Sequence, residues 1–143
     1  MLTIIIIIIC IAVPVTTVTI IPPGDNNVID IIEGQTQTCT CTTDSSRPAA
    51  WIQWYIGGQN VTNQTTPQQP QQDGDTSISS SSLVYTGRDA DHNKVIFCEA
   101  VNMEGIQKVK SIEKSFYIQC KYYLPCNHTK SVLGCYLYEI INM

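Results

Sequence analysis

Charged residues are scarce in this 143-residue chain, and basic residues are scarcer than acidic ones. Only 14% of the residues are charged, and eight Lys and Arg against twelve Asp and Glu give a formal net charge of −4. About 25% is usual for a soluble domain, and nucleic-acid binders carry clustered basic residues. The balance therefore argues against a nucleic-acid partner. The length allows one ordinary domain with short extensions.

Groups that carry enzyme chemistry are few as well. The only histidines are His92 and His128, and the chain has neither a glycine-rich phosphate loop nor a Gly-x-Ser-x-Gly elbow. We therefore predict no enzymatic activity, no small-molecule substrate, no cofactor and no metal. A zinc site could draw on a short-spaced group near the C-terminus, namely Cys120, Cys126, His128 and Cys135. Disulfides are preferred there, because the chain carries signs of export.

The first sign of export is an apolar run at the N-terminus. Residues 2–15 are almost wholly apolar, with isoleucine at every position from 4 to 9. The run is shorter than the ~20 residues that span a bilayer and matches the apolar region of a signal peptide, although no Lys or Arg precedes it. Small residues place cleavage between Ala12 and Val18, so residues 1–17 are predicted to be a signal peptide. A buried N-terminal strand or helix and a retained signal anchor are the alternatives.

Export predicts a secreted or extracellular protein whose cysteines form disulfides. Three Asn-x-Thr sequons agree with this, and they predict glycosylation at Asn60, Asn63 and Asn127. Association with a membrane would then need a retained leader or a further C-terminal region.

The mature chain shows short strands separated by turn residues, and no segment has a sustained helical period. The predicted strands are Val18–Ile21, Val28–Ile32, 35–43, Trp51–Ile56, 81–86, 94–101 and 107–118. About seven strands in roughly 100 residues predict an all-β antiparallel sandwich or barrel. Residues 59–75 are rich in Gln and Pro and are predicted to be a solvated loop. Residues 120–143 form a cysteine-containing tail.

A cysteine, a tryptophan and a second cysteine stand out in the middle of the chain. Trp54 follows Cys41 by thirteen residues, and Cys98 follows Trp54 by 44. Inward cysteines on facing sheets can form a disulfide, and a large ring beside them fills the core. Ile52 shares a face with Trp54 because side chains alternate along a strand. Cys39 has the same parity as Cys41, so either could face Cys98.

These residues resemble the immunoglobulin superfamily over residues 16–118. The matching residues are Glu33-Gly34, Cys41, Trp54-Tyr55, Leu83, Tyr85, the turn Arg88-Asp89-Ala90-Asp91-His92-Asn93 and residues 98–105, which match the C-x-A-x-N-x-x-G run of I-set and C2-set domains. The turn and Gly57-Gly58 are most similar to C2-set domains of nephrin-type and nectin-type adhesion receptors. The resemblance implies an immunoglobulin-like sandwich with Greek-key topology over residues 18–119. It also implies a Cys41–Cys98 disulfide packed on Trp54.

Two positions depart from the family pattern. Ile96 stands where a tyrosine usually precedes the second cysteine, so the usual tyrosine corner cannot form. Cys39 has no usual counterpart; it is either a small buried apolar residue or paired with a tail cysteine. The acidic turn before Cys98 is predicted to hold a structural ion pair rather than catalytic carboxylates.

The resemblance implies an extracellular binding module for a protein or glycan partner, in cell adhesion or receptor recognition. Trp51 and Tyr55 are candidate partner contacts, because Trp51 has the opposite parity to the core residue Trp54. The alternative for Trp51 is that a neighbouring strand or the tail covers it. Two alternatives remain: the first module of a tandem immunoglobulin receptor, and a secreted defence or effector factor.

Overall fold

The computed structural model of the protein describes residues 11–21, 27–104 and 107–119. This part of the chain is all-β, and its regular elements other than strands are two short 3-10 turns, η1 (Thr62–Gln64) and η2 (Asp89–Asp91). The strands are β1 (Val18–Ile21), β2 (Val28–Ile32), β3 (Thr36–Ser46), β4 (Trp51–Ile56), β5 (Gln59–Asn60), β6 (Thr65–Pro67), β7 (Gln71–Asp73), β8 (Thr76–Thr86), β9 (Val95–Val101), β10 (Val109–Lys110) and β11 (Lys114–Gln119). The predictions for residues 1–10 and for the tail, including Asn127 and its three cysteines, lie outside the described residues.

The strands form two sheets, and the predicted immunoglobulin-like sandwich is confirmed. The first sheet has the order β1-β3-β8-β6, with β7 also paired to β8; the second has the order β2-β11-β9-β4-β5, with β10 paired to β9. One pair departs from the antiparallel expectation. Strand β2 runs parallel to β11, with Ile29 opposite Phe116. Strand β1 belongs to the first sheet and β2 to the second, where β2 lies beside the last strand, β11, and runs in the same direction.

The core lies between the sheets and follows from the alternation of side chains along each strand. In β4 the even-numbered residues are buried, and in β9 Ile96, Cys98 and Ala100 are buried. Apolar side chains on one face of each sheet can leave water only by meeting the other sheet. The largest fully buried side chains are Trp54, Phe116, Ile29, Leu83, Ile96 and Ile118.

Two strands are longer than the apolar pattern predicts. Strands β3 and β8 pair along most of their eleven residues each, with a register irregularity between Thr42 and Ser45. The residues beyond the predicted ranges are mainly serine and threonine. A prediction based on alternating apolar residues does not detect a strand made of these polar residues. The hydroxyl of Thr40 lies 3.4 Å from that of Ser82, and the Thr42 hydroxyl lies 3.3 Å from that of Ser80. Such cross-strand hydroxyl pairs stabilise a sheet.

Residues 59–75 are not a plain loop, so that prediction was wrong in part. Strand β5 pairs with β4, and β6 and β7 extend the first sheet along β8. Pro67 and Pro70 sit at this edge, where a missing N–H disrupts no inner ladder. The segment is mainly exposed, as predicted, except that Val61 is buried. The strand expected at 107–118 is likewise divided into β10 and β11.

Candidate functional site

The second sheet presents a continuous outward surface over β4, β9 and β10. Because Trp54 and Cys98 point inward, their neighbours along each strand point outward. The register places Tyr55 opposite Phe97, Gln53 opposite Glu99, and Trp51 opposite Val101. We call this surface the outer face and define it by Trp51, Gln53, Tyr55, Phe97, Glu99, Val101, Lys108 and Lys110.

An aromatic pair occupies the middle of the outer face. The rings of Tyr55 and Phe97 stack with centroids 5.0 Å apart and planes 12° from parallel. The ammonium of Lys110 lies 3.7 Å from the centre of the Phe97 ring, and it also pairs with Glu113 at 2.5 Å. A cation over a ring at an exposed site contributes about 0.5–1 kcal/mol. The pair therefore holds Tyr55 in one orientation and leaves it only half-buried.

Polar groups surround the aromatic pair. Lys108 Nζ donates to Gln53 Oε1 at 2.5 Å and lies 3.6 Å from Glu99 Oε2. Exposed ion pairs of this kind contribute little to stability. These groups instead surround the aromatic pair with positive and negative charges and with hydrogen-bond donors and acceptors. That composition is typical of a protein-binding surface with an aromatic centre and a polar rim.

Trp51 is the largest exposed apolar side chain beside this centre. It is 66% exposed, so no described strand covers it. It borders two shallow surface clefts, one toward Val101 and Lys108 and the other toward Pro67 and Gln68. Tryptophan and tyrosine, which this face presents at Trp51 and Tyr55, are among the residues enriched at the energetic centres of interfaces.

The sequence-predicted core residues meet between the sheets. Cys41 and Cys98 are joined by a disulfide with their Cα atoms 6.5 Å apart. Trp54 is fully buried, and its Nε1–H donates to Ser81 Oγ at 3.1 Å. Sequence reasoning missed Ser81, although a buried indole N–H generally requires a partner.

Cys39 is fully buried and forms no disulfide within the described residues. Burial raises the pKa of its thiol to about 11, and the positive charge of Lys114 lowers that pKa by a smaller amount.

The acidic turn before Cys98 holds a buried carboxylate that sequence inspection did not single out as the centre of a network. Asp91 is 3% exposed and accepts hydrogen bonds from the Tyr85 hydroxyl at 2.7 Å, Arg88 Nε at 2.8 Å and Lys94 Nζ at 2.7 Å. Burial raises the pKa of Asp91, but the bonds from Lys94, Tyr85 and Arg88 outweigh it and lower the pKa. Burial and Asp91 together raise the pKa of Tyr85 to about 12. The ion pairs are structural, as predicted, and they are local to the turn.

Two predicted glycosylation residues lie near the outer face. Asn60 is exposed on β5 opposite Tyr55, and Asn63 is exposed in η1. Asn60 Oδ1 accepts the Thr62 N–H at 3.0 Å, and the Thr62 hydroxyl accepts the main-chain N–H of Trp54 at 2.9 Å. The sequon threonine is therefore also a structural residue of the strand that carries Trp51 and Tyr55.

The sandwich, its inter-sheet disulfide and its buried tryptophan define an immunoglobulin-superfamily domain. The sequence model of the CD80-like C2-set immunoglobulin domain matches residues 24–105, more than half of the chain. The protein belongs to that family.

Similar proteins agree with this assignment. A Xenopus tropicalis protein, cell adhesion molecule 2, is 36% identical over 84 residues, which cover 59% of this chain and 19% of that protein. The chain thus spans about a fifth of its relative's length. The crystal structure of Rst D1-D2 matches with a TM-score of 0.66 at 23% identity, over 75% of this chain and 50% of the other. The ectodomain of mouse nectin-like molecule 4 matches with a TM-score of 0.63 at 18% identity, over 76% and 35%. These two likenesses show the fold.

Two features are absent from the described residues. None of the helices found there has the length and apolar character needed to cross a membrane. The same residues contain no cluster of three or more His, Cys, Asp or Glu able to hold a metal ion. The short-spaced cysteines and histidine of the tail lie outside these residues.

Proposed function

We propose that the protein is an extracellular, non-enzymatic recognition module that binds a protein partner through the outer face, in cell adhesion or receptor recognition. The observation that carries this proposal is the exposure of Trp51 on the same sheet face as the stacked Tyr55–Phe97 pair, four residues before Tyr55 along β4. Tryptophan and tyrosine are enriched among residues that dominate binding energy. The side chains of the outer face come from adjacent paired strands, so binding orders little additional chain.

The family supports the class of function, and the residues support the location. A relative named as a cell adhesion molecule is 36% identical over 84 residues, and the C2-set model covers the part of the chain that contains β3 to β9. Fold likeness alone is weak evidence for function. The proposal therefore depends on the chemistry of the outer face, which combines an aromatic centre with Gln53, Glu99 and Lys108 at its margin. A glycan partner, a module of a tandem receptor and a secreted effector remain the alternatives.

The test is a binding screen with matched surface variants. Protein secreted from eukaryotic cells is applied to an array of cell-surface ectodomains that includes the protein itself and to a glycan array. For a protein partner found there, Trp51→Ala is expected to weaken binding about 30-fold, the effect of a ~2 kcal/mol interface residue. The melting temperature should not change, because Trp51 is 66% exposed.

Val84→Ala is the matched control. Val84 is 64% exposed on β8 of the first sheet, so the Val84→Ala substitution removes apolar surface from the opposite side of the sandwich. Affinity that falls equally in both variants, or in neither, would refute binding through the outer face. Binding confined to the glycan array would refute the protein partner. Each measurement is repeated after enzymatic deglycosylation, because Asn60 lies opposite Tyr55.

A further inference from the structure

The residues just before β1 pack into the sandwich. Val13 and Arg47 exchange two main-chain hydrogen bonds, at 2.8 and 2.9 Å. Two residues later, Val15 is 5% exposed and belongs to the hydrophobic core. Residues 13–17 therefore act as an additional edge segment along the end of β3.

Polar side chains of the domain fix this segment in place. Asn102 Nδ2 donates to the Val13 carbonyl at 2.7 Å, and Asn102 Oδ1 accepts the Val15 N–H at 3.1 Å. Asp44 accepts hydrogen bonds from the main-chain N–H and the hydroxyl of Thr16. The main-chain N–H of Asp44 donates to the Thr17 carbonyl at 3.1 Å. Removal of residues 13–17 would leave both side chains without these partners and would expose the core beside Val15.

Residues 11 and 12 differ sharply from those that follow. Ile11 is 66% exposed and Ala12 is exposed, and their one recorded polar contact is the Ile11 carbonyl accepting Arg47 Nε at 2.9 Å. A chain beginning at Val13 keeps every contact of the edge segment, since a free amino group can still donate to the Arg47 carbonyl. The structure thus tolerates loss of residues through position 12 and opposes loss of residues through position 17.

The preference of leader cleavage for small residues also allows this bond. Signal peptides are cut after a pair of small residues separated by one residue. Cleavage after Ala12 places Ala12 and Cys10 at these two positions. Cleavage after Thr17 would place the larger, branched Val15 and Thr17 there.

We propose that the leader is removed by hydrolysis of the Ala12–Val13 peptide bond, so that the mature chain begins at Val13. Water adds across the bond under catalysis by the signal peptidase of the secretory pathway, giving a carboxylate on Ala12 and an amino group on Val13. The site lies five residues before the boundary expected from the sequence. This proposal rests on the export that the proposed function requires.

The direct test is intact mass and N-terminal sequencing of the full chain secreted from eukaryotic cells, after deglycosylation and reduction. Val13 is the expected first residue. A first residue from Pro14 to Val18 would overturn the inference and leave the proposed recognition function standing. A chain that still begins at Met1 and is found inside the cell, neither in the medium nor on the cell surface, would overturn both, which distinguishes the two failures.

A pair of substitutions tests the choice of bond. Ala12→Leu puts a bulky residue next to the cut and should lower the yield of chains beginning at Val13 at least tenfold. Thr17→Leu is the matched control and should leave that yield unchanged, because Thr17 is exposed and lies five residues beyond the cut. Equal yields from both variants would contradict cleavage after Ala12.

The contribution of residues 13–17 to stability can be measured without the native leader. A foreign leader is fused directly before Ile11, Val13 or Val18 of the full remaining chain. Chains starting at Ile11 and Val13 should melt at the same temperature, whereas the chain starting at Val18 should melt about 10 °C lower or fail to be secreted. A chain from Val18 that matches the other two in yield and melting temperature would overturn the inference.

Discussion

Replacement of Asp91 by Asn should destabilise the domain by about 2 kcal/mol at pH 7. Asp91 is buried and accepts three charge-assisted or hydroxyl hydrogen bonds, each worth about 1.5–3 kcal/mol when considered alone. The loss is less than additive, because the Arg88 and Lys94 side chains are 69% and 46% exposed and can bind water instead. Most of the cost falls on Tyr85, whose buried hydroxyl loses a charged acceptor.

The effect of this substitution depends on pH in a direction that the network determines. Burial raises the pKa of Asp91, but hydrogen bonds from Lys94, Tyr85 and Arg88 lower it below the ordinary value of 3.8. A carboxyl whose pKa is lower in the folded protein than in the unfolded chain stabilises the fold at pH values above its pKa in the unfolded chain. That contribution is lost as pH falls through the folded value. The difference between wild type and Asp91→Asn should therefore be constant from about pH 8 to 5 and shrink below about pH 4.

The assay is urea unfolding followed by tryptophan fluorescence at pH 7 and pH 3. Trp54 reports the core, because it is fully buried. Asp30→Asn makes the same chemical change at an exposed position of β2 and should alter stability by no more than about 0.5 kcal/mol. An Asp91→Asn protein as stable as wild type at pH 7 would refute the network argument. A deficit that persists in full at pH 3 would show that lost packing rather than lost charge causes the effect.

Three further substitutions test the core. Cys98→Ser should abolish secretion, because losing the cross-link over a 57-residue separation costs roughly 4 kcal/mol; a normal yield in the medium would contradict this. Trp54→Ala should cost about 3–5 kcal/mol in thermal unfolding, since it empties a fully buried site; an unchanged melting temperature would place the ring at the surface. Gly87→Ala should cost about 1–3 kcal/mol in urea unfolding, because a Cβ there would lie 2.7 Å from Ile31 Cγ2 and 3.0 Å from the Ile32 carbonyl oxygen; wild-type stability would show that β2 yields easily.

Strands with strong apolar alternation could be predicted to the residue. The bounds of β1, β2 and β4 are those expected, because turn residues such as Gly57 end each apolar run sharply. The parity of β4 also predicted that the two tryptophans lie on opposite faces, and Trp51 is 66% exposed while Trp54 is buried. Local sequence is sufficient where one face of a strand meets the core and the other meets solvent.

Other features depend on partners that are distant in the sequence. The ends of β3 and β8 are strands because Ser and Thr residues on one match those on the other, and neither segment shows this alone. Asn102 was recognised as part of a family motif, yet its contacts are with Val13 and Val15, 89 and 87 residues away. Such contacts follow from the register of the folded sheets rather than from local propensity.

The outer face is the result of the same register that builds the core. The ladder that places Trp54 opposite Cys98 also places Tyr55 opposite Phe97, one residue further along both strands. A slip of one residue would turn the core side chains of β4 outward and bury Tyr55, because successive side chains alternate between faces. The disulfide and the buried indole oppose that slip, since both fit only when Cys98 and Trp54 point inward. The residues that identify the fold in the sequence therefore also fix the geometry of the surface through which we propose that the protein binds.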